Sequence, residues 1–184
     1  MKQEENKKDD NLKKFRDYID RVENLSDVNK NHIKDAIGCN LENLPDRILV
    51  PFYNTAPKIW DNDPETAMAY LFAATVYCNL GTSDVSFQER LREIYQDEDT
   101  SDSMKADIEK IIALYWDETG SMARHLQKYV SMLKREDKPF DVARFLRDLC
   151  YWNNENRISK ITWARRISSI VPEKKENKKE EIEL

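Results

Sequence analysis

The chain has 184 residues, of which 40 % are hydrophobic and 35 % charged, and its formal net charge is −5. That apolar content can build the core of one domain or two small ones. Only three glycines are present, which leaves little room for hairpin turns or for a glycine-rich phosphate loop. Because Leu, Ile, Lys, Glu, Arg and Ala dominate without strand-like alternation, the sequence predicts an all-α fold.

The cysteines and the apolar stretches indicate a soluble, cytoplasmic protein. Cys39, Cys78 and Cys150 are far apart, odd in number and without metal-ligand spacing, so free thiols in a reducing compartment are expected. The start of the chain, Met1–Asp10, is charged and does not resemble a secretory signal. The most apolar stretch, Ala67–Leu80, is shorter than the roughly 18 residues of a membrane span and is interpreted as a buried helix.

Composition along the chain predicts its organisation. The segments 1–11 and 173–184 are rich in charge and almost devoid of apolar residues, so they are expected to be disordered tails. Between them the pattern indicates eight or nine helices in two halves, 12–96 and 103–172. The acidic loop 96–102 is the predicted boundary between these halves.

The N-terminal half contains several signals for helix ends. Its predicted helices cover Leu12–Asn24, 26–38, Leu44–Tyr53, 64–80 and 86–95. Asp63 followed by Pro64 is typical of a helix start, and Gly81 is typical of a helix end. The helix between them is apolar almost all round, which predicts a central helix packed on every side. Pro51 predicts a kink or a break in the third helix.

The distribution of charge divides the molecule more sharply than its net value. Residues 61–120 hold 4 basic and 14 acidic side chains, whereas residues 121–172 hold 11 basic and 5 acidic ones. The predicted helices of this basic region are 120–135, 141–152 and 157–170, following one at 103–115. An acidic total therefore conceals a basic C-terminal region.

The basic side chains share a helical face in this region. On a helical wheel, Arg124, Lys128 and Arg135 lie opposite the apolar residues of 120–135, and Arg144 and Arg147 lie opposite the apolar residues of 141–152. The last helix adds further cations, which are Arg157, Lys160, Arg165 and Arg166. Such faces suit phosphate groups, since arginine donates two hydrogen bonds to one phosphate. An ordinary solvated helix face remains the alternative for each single residue.

Residue patterns of catalysis are missing from the sequence. His32 and His125 have no partner at metal-ligand or triad spacing, and Asp107 has no basic or histidine partner in a recognisable motif. The pairs Tyr115-Trp116 and Tyr151-Trp152 could stack on bases but are interpreted as core. A non-catalytic protein without cofactor or metal is therefore predicted.

Residues 121–167 carry a family resemblance. They read SMARHLQKYVSMLKREDKPFDVARFLRDLCYW followed by NRISKITWARRI, and upstream LPDRILVPFY (44–53) and AYLFAATVYCNLG (69–81) fit the same order and spacing. This set resembles CasB, the small subunit of the type I-E CRISPR surveillance complex Cascade. The resemblance implies a compact all-α protein of two packed helical bundles.

The resemblance also implies a function and partners. Such proteins occur as two copies beside the RNA-bound backbone subunits and the large subunit of Cascade, where they hold the displaced strand and the neighbouring duplex of the R-loop. The expected partners are thus other subunits, guide RNA, target and displaced DNA, and a second copy. The expected backbone contacts are Arg124, Lys128, Arg135, Arg144, Arg147, Arg157, Lys160, Arg165, Arg166 and Lys34. A helical protein-interaction module without nucleic-acid contact is the alternative.

Overall fold

Every regular element in the described part of the chain is an α-helix. A computed structural model describes residues 2–57 and 63–169, with side chains described from residue 12 onward. These ranges contain nine helices and no strand, which confirms the all-α prediction. The helices are α1 (Lys2–Glu23), α2 (Asp27–Lys34), α3 (Asp46–Thr55), α4 (Pro64–Leu80), α5 (Phe87–Gln96), α6 (Asp102–Ala113), α7 (Ser121–Arg135), α8 (Val142–Cys150) and α9 (Ile158–Ser168).

The first helix begins earlier than the sequence suggested. It starts at Lys2, so the segment predicted as a disordered tail up to residue 11 is helical from residue 2. Lys, Glu and Gln favour helix intrinsically, and they extend α1 beyond the residues that bury apolar surface. Its apolar side is buried, including Phe15 and Tyr18. The other predicted tail, 173–184, lies outside the described residues.

Side-chain caps begin four of the helices at predicted positions. Ser26, Asp63, Ser86 and Asp141 each accept a hydrogen bond from the backbone N–H three residues later. Such caps satisfy donors that have no partner within the helix. Helix α2 begins where the predicted range 26–38 begins, but it ends at Lys34 and not at residue 38.

Pro51 does not break α3. The helix continues through it to Thr55, and the proline is itself buried beside Ile48 and Phe52. A proline inside a helix removes one backbone hydrogen bond, a loss that tertiary burial can offset. The predicted break is therefore wrong.

The two predicted halves share one hydrophobic core around α4. All residues from Ala67 to Val76 are buried, which confirms the prediction of a central helix. Both α1 and α4 pack on α8, and α5 packs on α9. These contacts cross the boundary predicted at 96–102, so the packing is continuous between the halves. Whether each half folds as a separate bundle stays a prediction.

Three tryptophans anchor the core of the C-terminal half. Trp116, Trp152 and Trp163 are at most 1 % exposed, and each donates its indole N–H to an oxygen of another part of the chain. The interpretation of both Tyr-Trp pairs as core is confirmed for the tryptophans, whereas Tyr115 is exposed. Among the described residues, no helix has the length and apolar character needed to cross a bilayer.

Candidate nucleic-acid interface

Helix α7 presents its cations on the side opposite the core, as predicted. Arg124, Lys128 and Arg135 are exposed. The apolar stripe predicted for this helix is buried, and it consists of Met122, Leu126, Tyr129, Val130 and Leu133. The amphipathic pattern of α7 thus directs its basic side chains to solvent.

The three cations of α7 differ in their partners. Arg124 Nη1 donates to the Thr119 carbonyl oxygen at 2.9 Å, and Arg124 forms no ion pair with a described carboxylate. Lys128 Nζ forms an ion pair with Asp107 Oδ2 at 2.8 Å. Arg135 forms no ion pair within the described ranges. An anion that binds Lys128 would therefore have to compete with Asp107. An anion that binds Arg124 or Arg135 would not have to displace a described carboxylate.

Asp107 is the centre of a cluster that the sequence did not predict. Besides Lys128, its carboxylate accepts a hydrogen bond from the Tyr129 hydroxyl at 2.8 Å and lies 3.3 Å from His125 Nε2. The sequence showed no basic or histidine partner of Asp107 in a recognisable motif, whereas the structure places Lys128 and His125 beside it. The cluster joins α6 to α7. Local spacing could not reveal it, because the partners of Asp107 are 18 to 22 residues away in the sequence.

The Asp107 cluster predicts a pH-dependent contribution to stability. The hydrogen bond from Lys128, with that from Tyr129 and the nearby His125, lowers the pKa of Asp107 below its usual value despite partial burial. A lowered folded-state pKa stabilises the fold above the unfolded-state pKa of about 3.9, and this contribution is lost as the pH falls through the folded-state pKa.

Urea unfolding at several pH values tests this contribution. Asp107→Asn should be less stable than wild type near neutral pH, and the difference should shrink as the solution is acidified. Lys128→Met should also weaken the pH dependence, because it removes the main cause of the shift. A difference that stayed constant from neutral to acidic pH would contradict the assignment.

Helices α8 and α9 place three arginines around one cleft. The cleft has a volume of about 290 Å³, and Arg144, Arg147 and Arg166 are among its lining residues. Each arginine also pairs with a carboxylate: Arg144 with Asp141 at 3.2 Å, Arg147 with Asp148 at 2.8 Å and Arg166 with Glu89 at 3.4 Å. The sequence predicted all three arginines as contacts but not their convergence or their acidic partners.

Asp148 is the buried member of these pairs. Its Oδ2 accepts hydrogen bonds from Gln88 Nε2 at 2.6 Å and Trp163 Nε1 at 2.8 Å. Its Oδ1 accepts two from Arg147, at 2.8 and 3.1 Å. One carboxylate thus ties α5, α8 and α9 together and fixes the Arg147 guanidinium at the cleft. Asp148 lies in the stretch that carries the family resemblance (121–152), but the sequence did not reveal its partners.

The remaining predicted cations have separate positions. Lys160 Nζ donates to the Leu114 carbonyl oxygen at 2.9 Å and lies over the Trp152 ring. Burial, and next the charge of Arg157, lowers the pKa of Lys160. Lys160 therefore contributes to the packing of α9 on the end of α6, and its role as a nucleic-acid contact stays a prediction.

Arg157, the N-cap of α9, and Arg165 within α9 are both exposed. Lys34 is exposed at the end of α2. Helix α6 contacts both α7 and α9. The acidic Asp107 on α6 pairs with Lys128 of α7. The predicted cations thus include an exposed α7 face and an arginine cleft formed by α8 and α9.

The chemistry of these groups is that of anion binding. Arginine and lysine here offer charge and N–H donors, and both suit phosphate oxygens. Within the described residues, no group of three or more His, Cys, Asp or Glu side chains is arranged to hold a metal ion.

Known proteins share this fold. The family model of the CRISPR-associated protein Cse2 matches residues 35–166. A Cse2-family CRISPR-associated protein from Thermus thermophilus has a TM-score of 0.68 and 20 % identity, over 85 % of this chain and 96 % of that chain. CasB from M. ruber has a TM-score of 0.63 and 16 % identity, over 82 % and 89 % respectively.

A structure described as CasB from Thermus thermophilus gives a similar result, with a TM-score of 0.63 and 19 % identity over 85 % of this chain and 96 % of that chain. No curated protein matches the chain. At these identities the structural likeness shows the fold, whereas the family model covers well over half of the sequence. The predicted CasB assignment is therefore confirmed, and the chain belongs to the Cse2 family of CRISPR-associated proteins.

Proposed function

We propose that this protein is the non-catalytic small subunit of a type I-E CRISPR surveillance complex, Cascade. In this role it binds nucleic-acid backbone without sequence preference and stabilises the R-loop and its displaced strand. Family membership supports a CRISPR role. The observation that carries the nucleic-acid part is the convergence of Arg144, Arg147 and Arg166 on one cleft of a protein whose net charge is negative.

The acidic partners of these arginines are compatible with phosphate binding. A guanidinium has five N–H donors, and a carboxylate engages at most two of them. Asp148 accepts from Nε and Nη2 of Arg147, so the Nη1 donors remain for a ligand. The carboxylate also holds the guanidinium in one orientation, which lowers the entropy lost on binding.

Cations without a counterion supply the long-range attraction in this proposal. Arg124, Arg135, Arg157 and Arg165 are exposed and form no ion pair within the described part of the chain. Contacts of this kind release counterions from the nucleic acid and give affinity that falls with salt. An R-loop exchanges one duplex for another of similar stability, so modest backbone contacts can shift its equilibrium.

A cleft variant in a reconstituted complex tests the proposal. Arg144→Gln combined with Arg166→Gln removes two cleft charges and leaves the Arg147–Asp148 pair intact. Target binding should weaken, and the slope of log K against log salt should become less steep by about 0.9 for each lost duplex contact. Assembly of the complex on guide RNA should be unchanged.

The matched control is Lys105→Gln with Lys110→Gln on α6, which removes the same charge away from the cleft and should bind like wild type. Unchanged affinity and slope in the cleft variant would overturn the nucleic-acid proposal. With the subunit still incorporated, that result would favour the alternative of a protein-interaction module.

A groove of about 410 Å³ between α6 and α9, lined partly by Ile108, Ile112 and Ala164, supports this alternative.

A further inference from the structure

The groove between α6 and α9, which we name the α6–α9 groove, has an apolar floor and apolar walls. Ile108 of α6 and Ile167 of α9 form its floor, since both line the groove and are buried. Ile112 and Ala164 form its walls and are only partly buried. An apolar surface of this kind is stabilised when another apolar group covers it and excludes water.

The described residues end beside this groove. Ser168, the last residue of α9, lines the groove, and so does Tyr95 on the last turn of α5. The next residue, Ser169, is held against α5, because its carbonyl oxygen accepts a hydrogen bond from Gln96 Nε2 at 2.7 Å. The chain therefore leaves α9 at the mouth of the α6–α9 groove.

Apolar residues follow this point directly in the sequence. Ile170, Val171 and Pro172 come after Ser169 and precede a run of charged residues. An extended chain advances at most about 3.6 Å per residue, so Val171 can lie no more than about 7 Å from Ser169. Pro172 disfavours a helical conformation at Val171, so a straight continuation of α9 through this segment is not expected. The groove is an apolar surface within the reach of this segment.

Charges on the rim of the groove are complementary to those that follow the apolar residues. Arg165 is exposed and forms no ion pair with a described carboxylate, and Glu109 forms none with a described cation. Glu109 does accept a hydrogen bond from the Tyr95 hydroxyl at 2.6 Å. The next residues of the sequence are Glu173 and Lys174, one charge of each sign. A segment that crosses the groove brings both charges to a rim with unpaired opposites among its described residues.

We propose that the α6–α9 groove is the docking site of residues 170–174 of the same chain. Ile170 and Val171 cover its apolar walls, and the charges that follow meet those on the rim. This segment lies beyond the family match, which ends at residue 166. The inference goes beyond the proposed function and requires neither nucleic acid nor other subunits. A protein partner that uses the groove has to displace the segment first, so docking regulates access to this surface.

Methyl NMR of the full chain, labelled at isoleucine and valine methyl groups, tests this docking. Nuclear Overhauser cross-peaks are expected between Val171 and at least one of Ile108 and Ile112. Ile170→Ser with Val171→Ser should shift the methyl resonances of both groove isoleucines, because their apolar cover is lost. Ile170→Val with Val171→Ile keeps the segment apolar and should retain the contacts. The absence of these cross-peaks in wild type would overturn the proposal.

A matched control lies farther along the sequence. Ile182→Ser with Leu184→Ser also replaces two apolar side chains by serine and should leave the Ile108 and Ile112 resonances in place. Equal shifts from both pairs of substitutions would overturn the assignment to residues 170–174. A mixture of one chain labelled at isoleucine and another labelled at valine distinguishes the occupants. Cross-peaks between Val171 and the groove in that mixture would mean that a second copy supplies the segment, which would also overturn the proposal.

Discussion

Replacing Asp148 with alanine should lower the free energy of unfolding by about 3–5 kcal/mol, because removal of one member of a buried ion pair strands its partners. The carboxylate is 5 % exposed and accepts four hydrogen bonds from Gln88, Trp163 and Arg147. Arg147 can turn to water, since its side chain is one-third exposed. The buried donors of Gln88 and Trp163 have no such route, and their desolvation is the main cost.

Denaturant unfolding monitored by tryptophan fluorescence would measure this effect. Asp148→Asn should lie between wild type and Asp148→Ala, because the amide keeps one acceptor oxygen. Asp84→Ala removes an exposed acid in the loop before α5 and should change stability by no more than about 0.5 kcal/mol. If Asp148→Ala were as stable as Asp84→Ala, the carboxylate would not be the link between α5, α8 and α9.

Charge reversal at the four exposed arginines of residues 121–169 that form no ion pair with a described carboxylate should have the largest effect on function. A chain with Arg124, Arg135, Arg157 and Arg165 all changed to glutamate should reduce target binding by the reconstituted complex by roughly 10²–10³-fold at low salt. The proposed reason is the loss of up to four backbone contacts together with new repulsion. Lys128 and Arg147 are left unchanged, because reversing them would place a second acid beside Asp107 or Asp148.

The same variant should fold and join the complex. These side chains are exposed, so their reversal should leave the thermal unfolding of the free chain close to that of wild type. Electrophoretic mobility shifts with target duplex, and permanganate footprinting of the displaced strand, would measure binding and R-loop formation. Full R-loop formation by a complex that contains the variant would contradict the role of these arginines.

Local signals in the sequence predicted much of the fold. Asp63-Pro64 and Gly81 set the limits of α4, because capping and proline geometry depend on neighbouring residues. The opposition of Arg124 and Leu126 on α7 follows from helical periodicity alone. Pro51 shows the limit of such signals, since burial of α3 overrides the local preference against proline.

The electrostatic partners could not be predicted in the same way. Lys128 meets Asp107 and Arg166 meets Glu89 across helices, and these pairs are 21 and 77 residues apart. Lys160 fits a basic pattern by sequence, yet its ammonium is held at the end of α6. A pattern of charge therefore predicted which helices are basic but not which cations have counterions. The candidate interface depends on that second property.

Target binding by the reconstituted complex, measured with and without this subunit over a range of salt, tests the central claim most directly. Sequence-independent backbone contacts predict that the subunit strengthens target binding most at low salt and that this advantage shrinks steadily as salt rises. Guide-RNA binding should be alike in both preparations. Equal target affinity with and without the subunit at low salt would contradict the proposal that this protein stabilises the R-loop through its basic surface.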